Sequence, residues 1–201
     1  MPLSKRIFDL VVAVIGLIII SPLLLVLAVL VWIFHGVPIL FRQDRAGYKG
    51  RSFVVYKYRS MTNCTGPDGK LLPDLERITP FGRFLRSTSL DDLPQLFNVL
   101  RGEMSLVGPR PLFLRYLDRY SAEQMRRHDR HPGMTGWAQV NGRNALSWEE
   151  KFRLDLWYID HWSFWLDIKI LLMTVGAVFK REGINQPGHA TAEEFMGSPK
   201  T

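Results

Sequence analysis

Cysteine is all but missing from this chain of 201 residues: Cys64 stands alone, which excludes an internal disulfide and a cysteine-rich metal site and removes any need for an oxidising compartment. No internal repeat or low-complexity tract interrupts the sequence. Acidic residues are in deficit, 19 against 26 basic ones, and the net charge of +7 points to an anionic partner: lipid headgroups, a nucleotide, a phosphorylated lipid or nucleic acid. Charge of either sign vanishes between Leu10 and Phe34. A chain of this length with 47% hydrophobic residues supports one ordinary core, so one domain plus a membrane element is the natural expectation.

The uncharged run LVVAVIGLIIISPLLLVLAVLVWIF has the length and composition of a membrane segment. It exceeds the ~7 to 15 residue core of a signal peptide, and no small-residue cleavage site follows it. Ser21-Pro22 falls in its middle, where proline removes a backbone donor and crowds the preceding turn, so a sharp bend is expected. Each arm then covers roughly half of a ~30 Å hydrocarbon core. A kinked span and a re-entrant helix that leaves on the side it entered both fit. The flanks favour re-entry: Lys5 and Arg6 precede the run, Arg42, Arg45, Lys49 and Arg51 follow it, and cationic flanks prefer the cytoplasmic side. Asp9 is expected to pair with a cation at the interface.

Beyond the membrane element, residues 52–58 (SFVVYKY) read as a short strand and Gly66-Pro67-Asp68-Gly69 as a turn. Thr79-Pro80 has the form of an N-cap followed by proline at the first helical position, opening a short basic helix with Arg83 and Arg86. Ser89 to Arg101 reads as a helix that buries Leu93, Leu96, Phe97 and Leu100 on one face. Ser121 with Gln124 and Ser147 with Glu150 have capping-box spacing, which predicts two more helix starts. Residues 132–144 (PGMTGWAQVNGRN) read as a glycine-rich loop, either a plain surface connection or a ligand-contacting one in which Gln139, Asn141 and Arg143 are the candidate contacts. Residues 163–179, with Trp157, Trp162 and Trp165 nearby, fit an interfacial helix or a core helix with a tryptophan-rich end. The tail from Glu182 is expected to be loosely ordered.

Two short motifs carry chemistry. Asp91-Asp92 sits at a helix start, where the pair either complements the helix dipole or supplies a nucleophile and a carboxylate that holds a metal or manages protons. A helix start also attracts phosphate, so nucleophile and target would converge there. In Gly108-Pro109-Arg110-Pro111 the flanking prolines restrict Arg110, which is thereby pre-organised to grip phosphate oxygens with its planar fork. Lys57, Arg59, Arg83 and Arg86 add positive charge, each also readable as basic surface. His128 and His131 are surrounded by Arg126, Arg127 and Arg130, which would repel a cation, so they read as surface residues rather than metal ligands. A hard Mg²⁺ held by carboxylate and diphosphate oxygens suits this chain better.

These pieces occur in one order along nearly the whole chain: an N-terminal Lys-Arg, an apolar helix broken at Ser-Pro, then FRQDRAG, FVVYKYRSM, RSTSLDDLPQLFNVL, MSLVGPRP, HPGMTGWAQVNGR and DLWYIDHWSFWLD. Together they resemble the bacterial sugar transferases known as monotopic phosphoglycosyl transferases. The resemblance implies a re-entrant, Mg²⁺-dependent enzyme in which an aspartate attacks the diphosphate of a UDP-sugar, releases UMP and passes the sugar phosphate to undecaprenyl phosphate. It makes Asp91 the nucleophile and a metal contact and Asp92 its acidic partner, with Lys57, Arg86 and Arg110 touching phosphate. Asp92 departs from the glutamate usual at that position, and its shorter reach puts its share in metal or proton handling in question. The small size, GRNALSW and the ending GHATAEEFMG most resemble the branch that transfers phospho-N,N'-diacetylbacillosamine.

The expected architecture is α/β but mainly helical. A compact cytoplasmic domain would sit on an N-terminal re-entrant membrane helix, with interfacial amphipathic helices. Residues 1–36 form the membrane helix with its bend at Ser21 and Pro22, 37–182 the catalytic domain and 183–201 a C-terminal tail. The expected place is the cytoplasmic face of the bacterial inner membrane, and the expected partners are a UDP-sugar, undecaprenyl phosphate and membrane lipids, with self-association left open. Nucleic acid is disfavoured, because a membrane anchor and adjacent acids suit it poorly.

Overall fold

The computed structural model describes residues 1–180 and 194–197. Helix α1 (Leu3–His35) takes up the whole uncharged run, is long and apolar enough to cross a membrane, and continues through Ser21-Pro22 as one element. Pro22 cannot donate to the Ile18 carbonyl, and Ser21 Oγ donates to that oxygen instead at 2.9 Å. Much of α1 faces outward with large apolar side chains, Ile18, Ile19 and Leu25 among them, a surface that suits lipid rather than water. At ~1.5 Å per residue its 33 residues would reach about 50 Å if straight.

Both ends of α1 are tied to the same globular body. At the start Lys5 Nζ lies 2.5 Å from Asp167, and Arg6 donates to the Val99 and Leu100 carbonyls at 2.6 and 2.8 Å. At the end His35 Nε2 is 2.9 Å from Thr79 Oγ1. Asp9 is buried and accepts from the Leu106 N–H at 3.3 Å. The expected cation is there in Lys5, but Asp9 is 1% exposed and enclosed by protein, while Leu3, Ile7 and Val11 on the same turns face outward.

The hairpin of β1 (Leu40–Ala46) and β2 (Ser52–Tyr58) is antiparallel and sets Phe41 opposite Lys57. Side chains alternate along a strand, so the face of β2 that buries Phe53 and Val55 also carries Lys57. Short α2 (Asp74–Arg77) leads into α3 (Pro80–Ser87), where Thr79 accepts from the Gly82 N–H and Pro80 occupies the first turn, as the sequence predicts. The expected helix from Ser89 to Arg101 is two pieces, a 3-10 turn over Leu90–Gln95 and α4 (Leu96–Arg101). The tighter 3-10 winding shifts the helical phase. Leu96 therefore enters the core while Phe97 is 47% exposed, against expectation.

Next come β3 (Ser105–Val107), a 3-10 turn over Leu114–Arg119, and α5 (Ala122–Met125), which opens with the Ser121–Gln124 capping box. β4 (Gly133–Thr135) pairs parallel with β3, and α6 (Trp137–Val140) follows. The glycine-rich segment is thus strand and helix for much of its length, not a plain loop. A Cβ at Gly136 would stand 2.2 Å from the Gly108 carbonyl oxygen, so its glycines allow close approach of backbones beside Arg110. α7 (Trp148–Asp160) starts with the second predicted capping box, and α8 (Phe164–Lys180) completes the body.

The main core joins the first half of α1 to β2, α4, β3, α7 and α8, with Val55, Val99, Met104 and Ile170 fully enclosed. Each such side chain contributes about 1.5–3 kcal/mol by leaving water. A second cluster joins the later half of α1 to Tyr58 and Leu85. In α8, Ile170 faces this core while Trp165 and Leu172 are 78% and 70% exposed, so one face is core and the other offers an apolar surface. The expected loose tail falls mostly outside the described residues. Its described part, Glu194–Gly197, is corrected: Phe195 is buried among Tyr116, Phe152 and their neighbours.

Candidate active site

Asp91 and Asp92 lie in the 3-10 turn entered through Ser89, whose φ of 56° is left-handed and costly for a residue with a side chain. That turn packs on β2 and α3 and opens onto a cavity of about 530 Å³. Lys57, Arg86, Arg110 and Gln139 line the same cavity, so these four predicted contacts meet the predicted acid pair. Cationic side chains outnumber acidic ones along the wall by eight to four, which favours an anionic ligand.

The two acids are held differently. Lys57 Nζ is 2.6 Å from Asp92 Oδ1, Arg110 Nη2 is 3.7 Å from Asp92 Oδ2, and Gln95 donates to Oδ1 at 2.5 Å. Both of these ion pairs fall on Asp92. Asp91 is 8% exposed, and burial first, then the like charge of Asp92, push its carboxyl up to about 6 against the pull of Lys57, Arg86 and Arg110. It is therefore mostly ionised at neutral pH yet poorly solvated, which suits a nucleophile. Burial lowers Lys57, partly offset by Asp92.

Close packing sets the cations. A Cβ at Gly82 would stand 1.8 Å from the Ser60 carbonyl oxygen, so glycine lets α3 press on Ser60. Arg86 Nε then donates to Ser60 Oγ at 2.9 Å. Arg110 is steadied from behind: buried Arg127 donates to its carbonyl at 2.8 Å and to Asp155 at 2.7 Å.

Asn141 stands apart from the cavity lining; it is exposed, and its amide donates to the Trp137 carbonyl at 2.7 Å. The Arg143 side chain lies outside the described residues. Ser21 and Pro22 stay on α1, remote from the lining. His128, expected at the surface, is buried with Nδ1 3.0 Å from the Gly47 carbonyl oxygen, and burial and Arg127 lower it to about 4. His131 stacks on Tyr48 at 4.5 Å. Both pack on the turn between β1 and β2, which their basic neighbours gave no reason to foresee.

Sequence reasoning missed the buried Arg127–Asp155 pair and an aromatic wall of Tyr116, Trp148 and Phe152. Nothing local marks them, since each is assembled from distant segments. Arg45, read only as a membrane flank, also lines the cavity; burial and Arg110 lower it to about 10.

Of the four acids along the wall, Asp91 and Asp92 are adjacent in sequence, and no group of three or more His, Cys, Asp or Glu that could hold a metal forms among the described residues. Magnesium commonly takes one or two carboxylates and completes its shell with water and substrate phosphates. The pair fits that mode and not an all-protein cage.

The sequence matches the bacterial sugar transferase family over residues 2–181. It is 53% identical over 194 residues to an uncharacterized sugar transferase, EpsL, of Bacillus subtilis (strain 168), covering 96% of each chain. It is 45% identical to a UDP-galactose-lipid carrier transferase of Erwinia amylovora, covering 89% of this chain and 41% of that one. It is 44% identical to a UDP-glucose:undecaprenyl-phosphate glucose-1-phosphate transferase of Klebsiella pneumoniae, covering 85% and 39%. The chain thus spans about two fifths of the length of the latter two relatives.

Proposed function

The chain belongs to the bacterial sugar transferase family, and on that premise we propose that it transfers a sugar 1-phosphate from a UDP-sugar to undecaprenyl phosphate, as the first membrane step in building a glycoconjugate. The observation that carries the reading is Asp91: a buried carboxylate with a raised pKa, facing a cavity rich in cations. The relatives' names supply the substrate class, a UDP-hexose and a polyprenyl phosphate.

In the first half-reaction an oxygen of ionised Asp91 attacks the phosphorus that carries the sugar. The bond from that phosphorus to the bridging oxygen breaks, and UMP leaves with the electron pair. An aspartyl phosphosugar remains. A phosphate oxygen of the lipid then attacks the same phosphorus, and the Asp91 carboxylate departs. Lys57, Arg86 and Arg110 hold phosphate oxygens, and Asp92 keeps Lys57 and Arg110 in register. When bound through Asp91 and the diphosphate, Mg²⁺ would neutralise charge on the leaving UMP.

The membrane arrangement belongs to the same reading. Both ends of α1 bond to one domain, which supports a helix that enters and leaves the bilayer on the cytoplasmic face rather than a straight span. In a Cys64→Ser background, cysteines placed at both ends of α1 should be protected from an impermeant reagent in intact cells. Labelling of one end alone would establish a span.

Enzyme given radiolabelled UDP-sugar and Mg²⁺ without lipid should retain label on Asp91 and release about one UMP per site. Rapid-quench data showing neither label nor UMP until lipid is added would leave direct attack by the lipid phosphate as the mechanism. A panel of UDP-sugars, with UDP-N,N'-diacetylbacillosamine beside UDP-glucose and UDP-galactose, identifies the sugar.

A further inference from the structure

The cavity has a second end that the phosphate chemistry does not use. Its wall there is Tyr116, Trp148 and Phe152, with Lys151 beside them. Arg110 links the two: its side chain is 3.7 Å from Asp92, and Arg127 bonds both its carbonyl and Asp155 of α7, the helix that carries Trp148 and Phe152. Behind the wall lies Phe195, 1% exposed, with its ring 5.7 Å from Tyr116, 5.5 Å from Trp148 and 5.0 Å from Phe152.

The segment that carries Phe195 is clasped. Its N–H donates to Tyr116 Oη at 3.2 Å, and its carbonyl accepts from Arg119 at 2.5 Å. Glu194 pairs with Arg115 and Arg119, each at 2.9 Å. These bonds join Glu194 and Phe195 to the 3-10 turn over Leu114–Arg119, while the ring packs on α7. Two elements of the cavity wall are thus held together by one buried ring.

We propose that Phe195 is a positioning residue for the sugar-nucleotide donor: packed with the buried rings of Tyr116 and Phe152, it braces half-buried Trp148, the ring of this wall that keeps exposed surface, as the platform on which the donor's pyrimidine base stacks. The inference rests on the reading of the chain as a UDP-sugar transferase. A flat base on an aromatic platform gains about 1–3 kcal/mol. The lipid phosphate carries no base, so the effect should be confined to the donor.

Steady-state kinetics of the full chain test this. Phe195→Ala should raise KM for the UDP-sugar about tenfold, with kcat and KM for undecaprenyl phosphate within about twofold of the parent. Phe195→Leu, which refills the apolar volume, should recover most of the loss, and Glu194→Gln, which loosens the clasp, should raise donor KM about threefold. If Phe195→Ala fails to fold, the last two variants carry the test. An unchanged donor KM, or equal changes for donor and lipid, overturns the inference while the proposed reaction stands. A parent enzyme that turns over no UDP-sugar overturns the proposed reaction and this inference with it.

Discussion

Two acidic clusters in this molecule use the same residue types to opposite ends. Asp167, 1% exposed, accepts from Lys5 at 2.5 Å, from Tyr158 Oη at 2.7 Å and from Trp162 Nε1 at 3.1 Å. These donors close the site where α1, α7 and α8 meet. Asp91 is almost as buried, yet it shares its site with a second acid and opens on a cavity where cationic side chains outnumber acidic ones. A buried carboxylate with both oxygens engaged by donors is a joint. One whose cations gather around an empty volume is held ready for an anion, and the protein gives up stability to keep it so.

The largest effect should come from breaking the reactive member. Asp91→Asn should lower turnover by ~10³-fold or more, because an amide cannot attack phosphorus. The same variant should be more stable, not less. Asp91 is raised from 3.8 to about 6, so its favourable contribution is complete below its unfolded value and is lost as pH rises through about 6. At neutral pH the ionised group costs on the order of 1–3 kcal/mol, which asparagine removes. Thermal melts of both proteins at neutral pH check this, and a lower melting temperature for the variant would contradict it. In the parent, kcat/KM should climb with pH through about 6 as Asp91 ionises.

The joint should respond in the reverse sense. Asp167→Ala leaves Lys5 buried without its partner, and the expected loss is about 3–5 kcal/mol. The double substitution Lys5→Met with Asp167→Leu should recover part of it, since neither member of the ion pair is then left without the other, while buried Asp9 loses its neighbouring cation. Denaturant melts in lipid nanodiscs measure both. Folded Asp167→Ala should keep kcat/KM within about threefold of the parent. A loss of turnover without a loss of stability would move Asp167 from joint to reactive site.

Arg110→Lys sharpens the contrast from the cation side. It preserves charge but not the planar fork, and turnover should fall about 10- to 100-fold with little change in melting temperature. That Arg110, Asp91 and Lys57 are candidates, which the structure gathers in one cavity, was legible because each lies in a contiguous motif whose chemistry does not depend on distant residues. The same holds for β2 and the capped starts of α3, α5 and α7, which local hydrogen bonding decides. What was illegible depends on partners far apart in sequence. Arg127 figured only as a basic neighbour of two histidines, and its buried partner Asp155 comes from distant α7. Phe195 had no visible role without the turn at Tyr116. β3 and β4 are three residues each, too short to show a period of two. Phe97 was misplaced because Pro94 lies in a 3-10 turn, and the helical face assumed across it does not exist.

The smallest effect asks whether the rule of engaged oxygens extends to the membrane helix. Pro22 deprives the Ile18 carbonyl of its backbone donor, and Ser21 Oγ fills that place at 2.9 Å. Ser21→Ala should therefore cost about 0.5–1.5 kcal/mol, as a modest hydrogen bond does in lipid. Leucine at position 22 restores the N–H, so in a Pro22→Leu background the same Ser21→Ala change should cost close to nothing. Unfolding the four proteins in nanodiscs completes a double-mutant cycle whose coupling term is the compensation itself. Equal costs in both backgrounds would mean that Ser21 does not stand in for the missing donor. Topology adds a second reading of the same cycle: with normal helical bonding returned at position 22, some molecules should cross the bilayer and expose one end of α1 to an impermeant label, whereas Ser21→Ala alone should not change its topology.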